Sequence, residues 1–246
     1  MSNRTMSRMT AAGVAAVAGL AVLAPAVANA AAGPGPAAVT QSSVQQPAHL
    51  TVASYKAYLK KNWKKGGRET AVAFAKLTPA RQAQFLRHLE DRKVYAAFLK
   101  QVKGNFELPL HVVDPYNKDV VFVTDVTAHV AKDKAGTLTV RFSVSERVFG
   151  IPVTTETITV KGATKGQDKS KKAVAIAKLQ NVNAAVSITA GPTRAASKGV
   201  ITRGSVTWTA KPQVQAFGKK KLVKDQDAAA AITKATRTFE ASLSNE

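Results

Sequence analysis

The segments VVFVTDVTAHV, residues 120–130, and TLTVRFSVS, residues 137–145, both alternate with a period of two. That is the repeat of a strand with one face dry and the other wet. In the first segment Val120, Phe122, Thr124, Val126, Ala128 and Val130 share one parity, opposite Asp125, Thr127 and His129. In the second, Leu138, Val140, Phe142 and Val144 line up on one side. Lys132-Asp133-Lys134-Ala135-Gly136 between them reads as a hairpin connection. Gly150-Ile151-Pro152 interrupts the pattern. It then resumes over Val153–Lys161, with Ile158 and Val160 inward and Thr155, Thr157 and Thr159 outward. The connections are too short for crossover helices, so the strands are antiparallel and a parallel α/β fold is disfavoured. A sheet with one dry face requires a second layer.

The C-terminal third supplies that layer. Residues 173–179, AVAIAKL, fit either a helical turn or a strand. Val182, Ala184, Val186, Ile188 and Ala190 keep a parity near two, and Val200–Lys211 is a further strand with Val206 and Trp208 on one side. Pro212 marks an edge or a break. A last strand is expected over Val214–Phe217, and then a terminal helix through Ile232, Ala235 and Phe239, capped by Asp225 or Asp227.

Between Thr51 and Gly104 the period is helical. Val52, Tyr55 and Leu59 form the first apolar stripe, with Thr51 as its cap, and Gly66-Gly67 ends it. A second segment spans Arg68–Leu77. Thr78-Pro79 opens a third helix carrying Phe85, Leu86 and Leu89, because threonine accepts a backbone N–H and proline suits the first helical position. Asp91 caps a fourth with Val94, Tyr95, Phe98, Leu99 and Val102, which Gly104 stops. About fifty residues bury too little surface to stand alone. The expected fold is therefore α+β: an N-terminal small helical unit packed on an antiparallel β-sandwich or strongly curled sheet.

Residues 1–30 have the parts of a secretory signal: Arg4 and Arg8, a 14-residue apolar run Ala11–Ala24, and Ala28-Asn29-Ala30 as a cleavage site. The run is short for a membrane span. No cysteine follows it and no hydrophobic tail closes the chain, so neither a lipid nor a transmembrane anchor is expected after signal removal. The organisation read from the sequence is 1–30 signal peptide, 31–49 flexible linker, 50–104 helical unit, 105–224 antiparallel β domain and 225–246 C-terminal helix and tail.

Among 246 residues there is no cysteine, which excludes disulfides, thiol nucleophiles, cysteine-ligated metals and thioether-linked haem. The formal charge is +21. Its distribution is uneven: +10 over 54–104, −2 over 105–160 and +11 over 161–246. Local concentrations are Lys60, Lys61, Lys64 and Lys65; Lys169, Lys171 and Lys172; and Lys219, Lys220, Lys221 and Lys224. Clusters of this kind attract polyanions, and outside a cell these are phosphate-rich wall polymers or acidic lipid headgroups. Solvated lysines also occur simply to keep a protein soluble. Nucleic acid is disfavoured, since lysine outnumbers arginine, no recognition helix is present, and only Tyr55, Tyr58 and Trp63 interleave with the first cluster.

Catalytic patterns are sparse. His49, His88, His111 and His129 form no closely spaced pair; His111 and His129 with Asp114 or Asp125 are the one composite metal arrangement to check. No Gly-x-Ser-x-Gly occurs, and Gly162–Ser170 departs from phosphate-loop spacing. Glu146 with Glu156 is the one carboxylate pair suited to glycoside hydrolysis, and both are expected on the polar face. Tyr116, Phe149 and Trp208 are candidates either for a carbohydrate platform or for the core.

The alanine-rich leader, Asn62-Trp63-Lys64-Lys65-Gly66, Thr78-Pro79 with Gln82, the hairpin words at 147–154 and Val206-Thr207-Trp208-Thr209-Ala210 together give the chain a layout that resembles small exported proteins of high-GC Gram-positive bacteria. The resemblance implies export and transfers no catalytic role to any residue. The expected function is a secreted, non-enzymatic interaction protein, without a cofactor, that meets an anionic cell-wall polymer or membrane surface through its lysine clusters. The rival is a secreted enzyme acting on cell-wall or extracellular carbohydrate.

Overall fold

The computed structural model describes residues 46–132, 136–163, 173–198, 201–232 and 239–245. The signal peptide, residues 31–45 of the linker, the phosphate-loop-like residues 164–170, and Lys169, Lys171 and Lys172 lie outside the described residues.

Four helices come first: α1 (Val52–Lys61), α2 (Gly67–Ala75), α3 (Pro79–Glu90) and α4 (Arg92–Phe98), with a 3-10 turn at Trp63–Lys65. Their starts follow the capping chemistry. Thr51 and Ser54 form a reciprocal capping box, Thr78 accepts from the Arg81 N–H, and Asp91 accepts from the Lys93 N–H. The last helix ends at Phe98, short of the expected Val102, and Gly104 begins a strand and does not close the helix.

The strands are β1 (Gly104–Leu108), β2 (Leu110–Pro115), β3 (Val120–Val130), β4 (Thr137–Val148), β5 (Ile151–Ala163), β6 (Val174–Asn181), β7 (Val186–Ala190), β8 (Arg194–Lys198), β9 (Ile201–Pro212), β10 (Leu222–Ile232) and β11 (Phe239–Asn245). One antiparallel sheet runs β2-β3-β4-β5-β6. The other runs β1-β11-β10-β9-β7, with β8 also paired to β9. The expected α+β sandwich is present.

Two expected elements differ. Residues Val214–Phe217 hold a 3-10 turn, Gln215–Phe217, in place of a strand. Where the terminal helix is expected, residues up to Ile232 belong to β10 and Phe239–Asn245 to β11, so strands extend beyond residue 224, and Ala235 lies outside the described residues. The alanine run 228–231 favours helix locally. Pairing of β10 with β9 on one side and β11 on the other overrides it. The end of the linker is also tied down: Pro47 and Ala48 carbonyls accept from the N–H groups of Gln215 and Ala216 at 2.9 and 3.0 Å.

The helices fill one end of the sandwich. Tyr55, Phe74 and Phe85 pack with centroids 5.0–5.6 Å apart. Tyr95 packs edge-to-face with Phe217 and Phe98 packs tilted against Phe122, while the Tyr55 hydroxyl donates to the Val182 carbonyl at 3.1 Å. Helical and sheet residues share one continuous core. At the opposite end the sheets touch directly through small residues: a Cβ on Gly204 would fall 2.5 Å from Val160 Cγ2 and 3.1 Å from Ala175 Cβ.

Candidate functional site: a basic cleft beside a sealed polar centre

The lysines fall into two populations. Lys60, Lys61, Lys64 and Lys65 at the end of α1, and Lys219, Lys220 and Lys221 before β10, are exposed. Lys224 does not belong with them. It is 1% exposed and lies in the inner row of β10 with Gln226, Ala228 and Ala230. The alternation of a strand turns every second residue inward, and Lys224 has the parity of the core.

Lys224 closes an ion pair with Glu156, which is fully buried on β5. Its Nζ also sits 4.5 Å from the centroid of the Phe98 ring. The Tyr95 hydroxyl donates to the other Glu156 oxygen at 3.3 Å, linking α4 to the sheet. Beside them Trp208 donates to the Gln226 side chain at 2.9 Å. Glu146 lies on the same inner face, 1% exposed, and neither carboxylate oxygen has a hydrogen-bond partner among the described residues. Burial, and secondarily the nearby Glu156, push its pKa up to about 8. Burial also lowers the Lys224 pKa, against the opposing pull of Glu156, and raises those of Tyr55 and Tyr95.

This overturns the placement of the two glutamates on the polar face. Glu146 continues the row Leu138, Val140, Phe142 and Val144, and Glu156 shares the parity of Ile158 and Val160. The parity rule itself points both inward, and it was their charge that argued for the outside. Sealed at 1% and 0% exposure, the pair presents no surface to a glycan.

A cleft of about 800 Å³ opens where the α1–α2 corner meets β6. Its walls carry Trp63, Lys64, Lys65, Arg68 and Glu69, and its floor Lys178, Leu179 and Gln180. The corner is built by the Asn62 carbonyl, which accepts from the N–H groups of Lys65 and Gly67 at 2.8 and 3.1 Å. Gly66 completes it in the left-handed region, φ 94°, so closely against Gln180 that a Cβ would lie 2.5 Å from Nε2. Four cations thus face one carboxylate. Trp63 is 46% exposed, leaving ring surface open. Arg68 and Lys178 were absent from the sequence clusters; the alternation of Lys178 and Gln180 along β6 is the signal that would have placed them outward.

The remaining candidates separate. His111 Nδ1 lies 2.6 Å from Asp125 Oδ1 across β2 and β3, but no group of three or more His, Asp or Glu side chains able to hold a metal occurs among the described residues. Trp208 is core, Phe149 packs between His88 and Arg81, and Tyr116 is exposed near Phe122, so the three do not form one platform. No helix among the described residues is long and apolar enough to cross a membrane. Comparison with protein-family models, with curated proteins and with solved structures finds no match for this chain.

Proposed function

We propose that the protein is an exported, non-enzymatic interaction protein that binds an anionic polymer outside the cell, and that the cleft at the α1–α2 corner is its primary contact. The observation that carries this reading is the convergence of Lys64, Lys65, Arg68 and Lys178 around an exposed tryptophan. Exposed cations converging in a concave site focus the field on an incoming polyanion. An aromatic face beside them gives the sugar or polyol part of such a polymer something to lie against. The leader-like residues 1–30 support an extracellular setting.

The test is retention of the mature protein on isolated cell walls and on vesicles of phosphatidylglycerol, for wild type and for Lys64→Gln/Lys65→Gln/Arg68→Gln. Wild type is expected on the walls and is released by salt. The variant should be retained roughly a hundredfold less, at about 1 kcal/mol per cation lost. Equal retention of variant and wild type overturns the assignment of the cleft, and retention on vesicles alone replaces the polymer with a lipid surface.

A further inference from the structure

We infer that the contact surface extends from the cleft across the outer face of the β2–β6 sheet, and that it fits a long anionic polymer rich in hydroxyl groups. This rests on the proposed function of the cleft and adds the extent of the site and the class of ligand. Lys178 and Gln180 belong to both surfaces: they floor the cleft and stand in the outward row of β6. The pairing registers then fix what lies beside them. Lys178 is level with Thr157 and Ser143, and Gln180 with Thr155 and Ser145. One step along the same face are Ile176, Thr159 and Arg141, and next come Lys161 and Thr139.

The hydroxyls that this face leaves half-buried are those of Thr139, Ser145, Thr155 and Thr159, with Ser145 and Thr155 2.9 Å apart, oxygen to oxygen; the Ser143–Thr157 pair between them, 3.0 Å apart, is buried. The half-buried hydroxyls keep acceptor lone pairs within reach of a ligand. Arg141, Lys161 and Lys178 stand exposed around them. With strands about 4.8 Å apart and same-face residues about 6.8 Å apart, the Lys178–Arg141 step is about 12 Å and the Arg141–Lys161 step about 8 Å. Among the described residues Asp125 is an exposed carboxylate on this face, and it is engaged by His111. Cations spaced at such intervals among half-buried hydroxyls complement a chain whose anions alternate with sugar or polyol units. A compact single anion would use the cleft alone.

The experiment compares short oligomers with long chains of poly(glycerol phosphate), and long linear polyphosphate as the hydroxyl-free control. Wild type is expected to bind long chains more tightly than short ones, and more tightly than polyphosphate. Arg141→Ala/Lys161→Ala alters only exposed side chains, and an unchanged melting temperature verifies that it folds. It should match wild type on short oligomers and lose about tenfold on long chains, because the second contact is then no longer linked to the first. Wild-type affinity of this variant for long chains overturns the extended site and leaves the cleft standing. Undiminished binding by Lys64→Gln/Lys65→Gln overturns the cleft instead. Equal binding of polyphosphate and poly(glycerol phosphate) removes the hydroxyl preference.

Discussion

Lys178 and Lys224 both alternate along a strand of a lysine-rich chain, and they have opposite fates. Lys178 faces outward at the floor of a cleft where cations outnumber carboxylates, whereas Lys224 is sealed against Glu156 and the ring of Phe98. The difference lies in strand parity and in what the facing layer offers, and lysine content alone does not distinguish them. A buried ion pair is costly to break and contributes little to attraction at a distance. An exposed cation contributes little to stability and keeps its field in solution. The polar centre therefore belongs to the folding of the helical end, and the cleft carries the proposed recognition.

The largest expected effect comes from splitting the buried pair. Lys224→Met leaves Glu156 uncompensated and should destabilise the fold by about 3–5 kcal/mol in denaturant titration. Lys224→Met/Glu156→Gln should recover most of that loss, because no buried charge is then orphaned. Failure of the double variant to recover would mean that the lysine acts through packing, not pairing.

Next is the pH dependence carried by Glu146, whose carboxyl faces Glu156 and lies within electrostatic reach of Tyr55 and Tyr95. Between its ordinary value of 4.5 and about 8, the folded chain keeps a proton that the unfolded chain has released. Stability from this group therefore falls as pH rises through that window and levels off above it. Glu146→Gln cannot ionise and should flatten that slope. Its advantage over wild type should be about 3 kcal/mol greater at pH 8 than at pH 5, roughly 6–12 °C in melting temperature. A variant whose advantage is the same at both pH values would place Glu146 in contact with water.

A smaller effect is expected at the opposite, close-packed end of the sandwich. Gly204→Ala drives a methyl into Val160 and should cost about 1–3 kcal/mol, with polymer binding unchanged.

Much of this architecture was legible from periodicity. The three central strands follow the alternation in 120–130, 137–145 and 153–161, and the helix starts follow Thr51, Thr78 and Asp91. Tyr55 and Leu59 dock the first helix while its lysines stay in water. Local preference and tertiary pairing disagree at β10: its alanine run favours helix, and only its neighbours β9 and β11 make it a strand. The candidate site was half legible. Lys64 and Lys65 stand out as a cluster, but Arg68 and Lys178 reach them through the meeting of α2 with β6, a contact between residues far apart in the chain. Glu146, Glu156 and Lys224 carry the inward parity, yet charge is a poor guide to burial when Lys224 and Glu156 neutralise each other and Glu146 keeps its proton.

The most direct test of the central claim is a salt titration of long-chain poly(glycerol phosphate) binding by wild type and Lys64→Gln/Lys65→Gln/Arg68→Gln at matched fold stability. Wild-type affinity should fall steeply with added salt, and the variant should bind roughly a hundredfold more weakly at low salt with a shallower dependence. Identical affinity and identical salt dependence in the two proteins would contradict that claim.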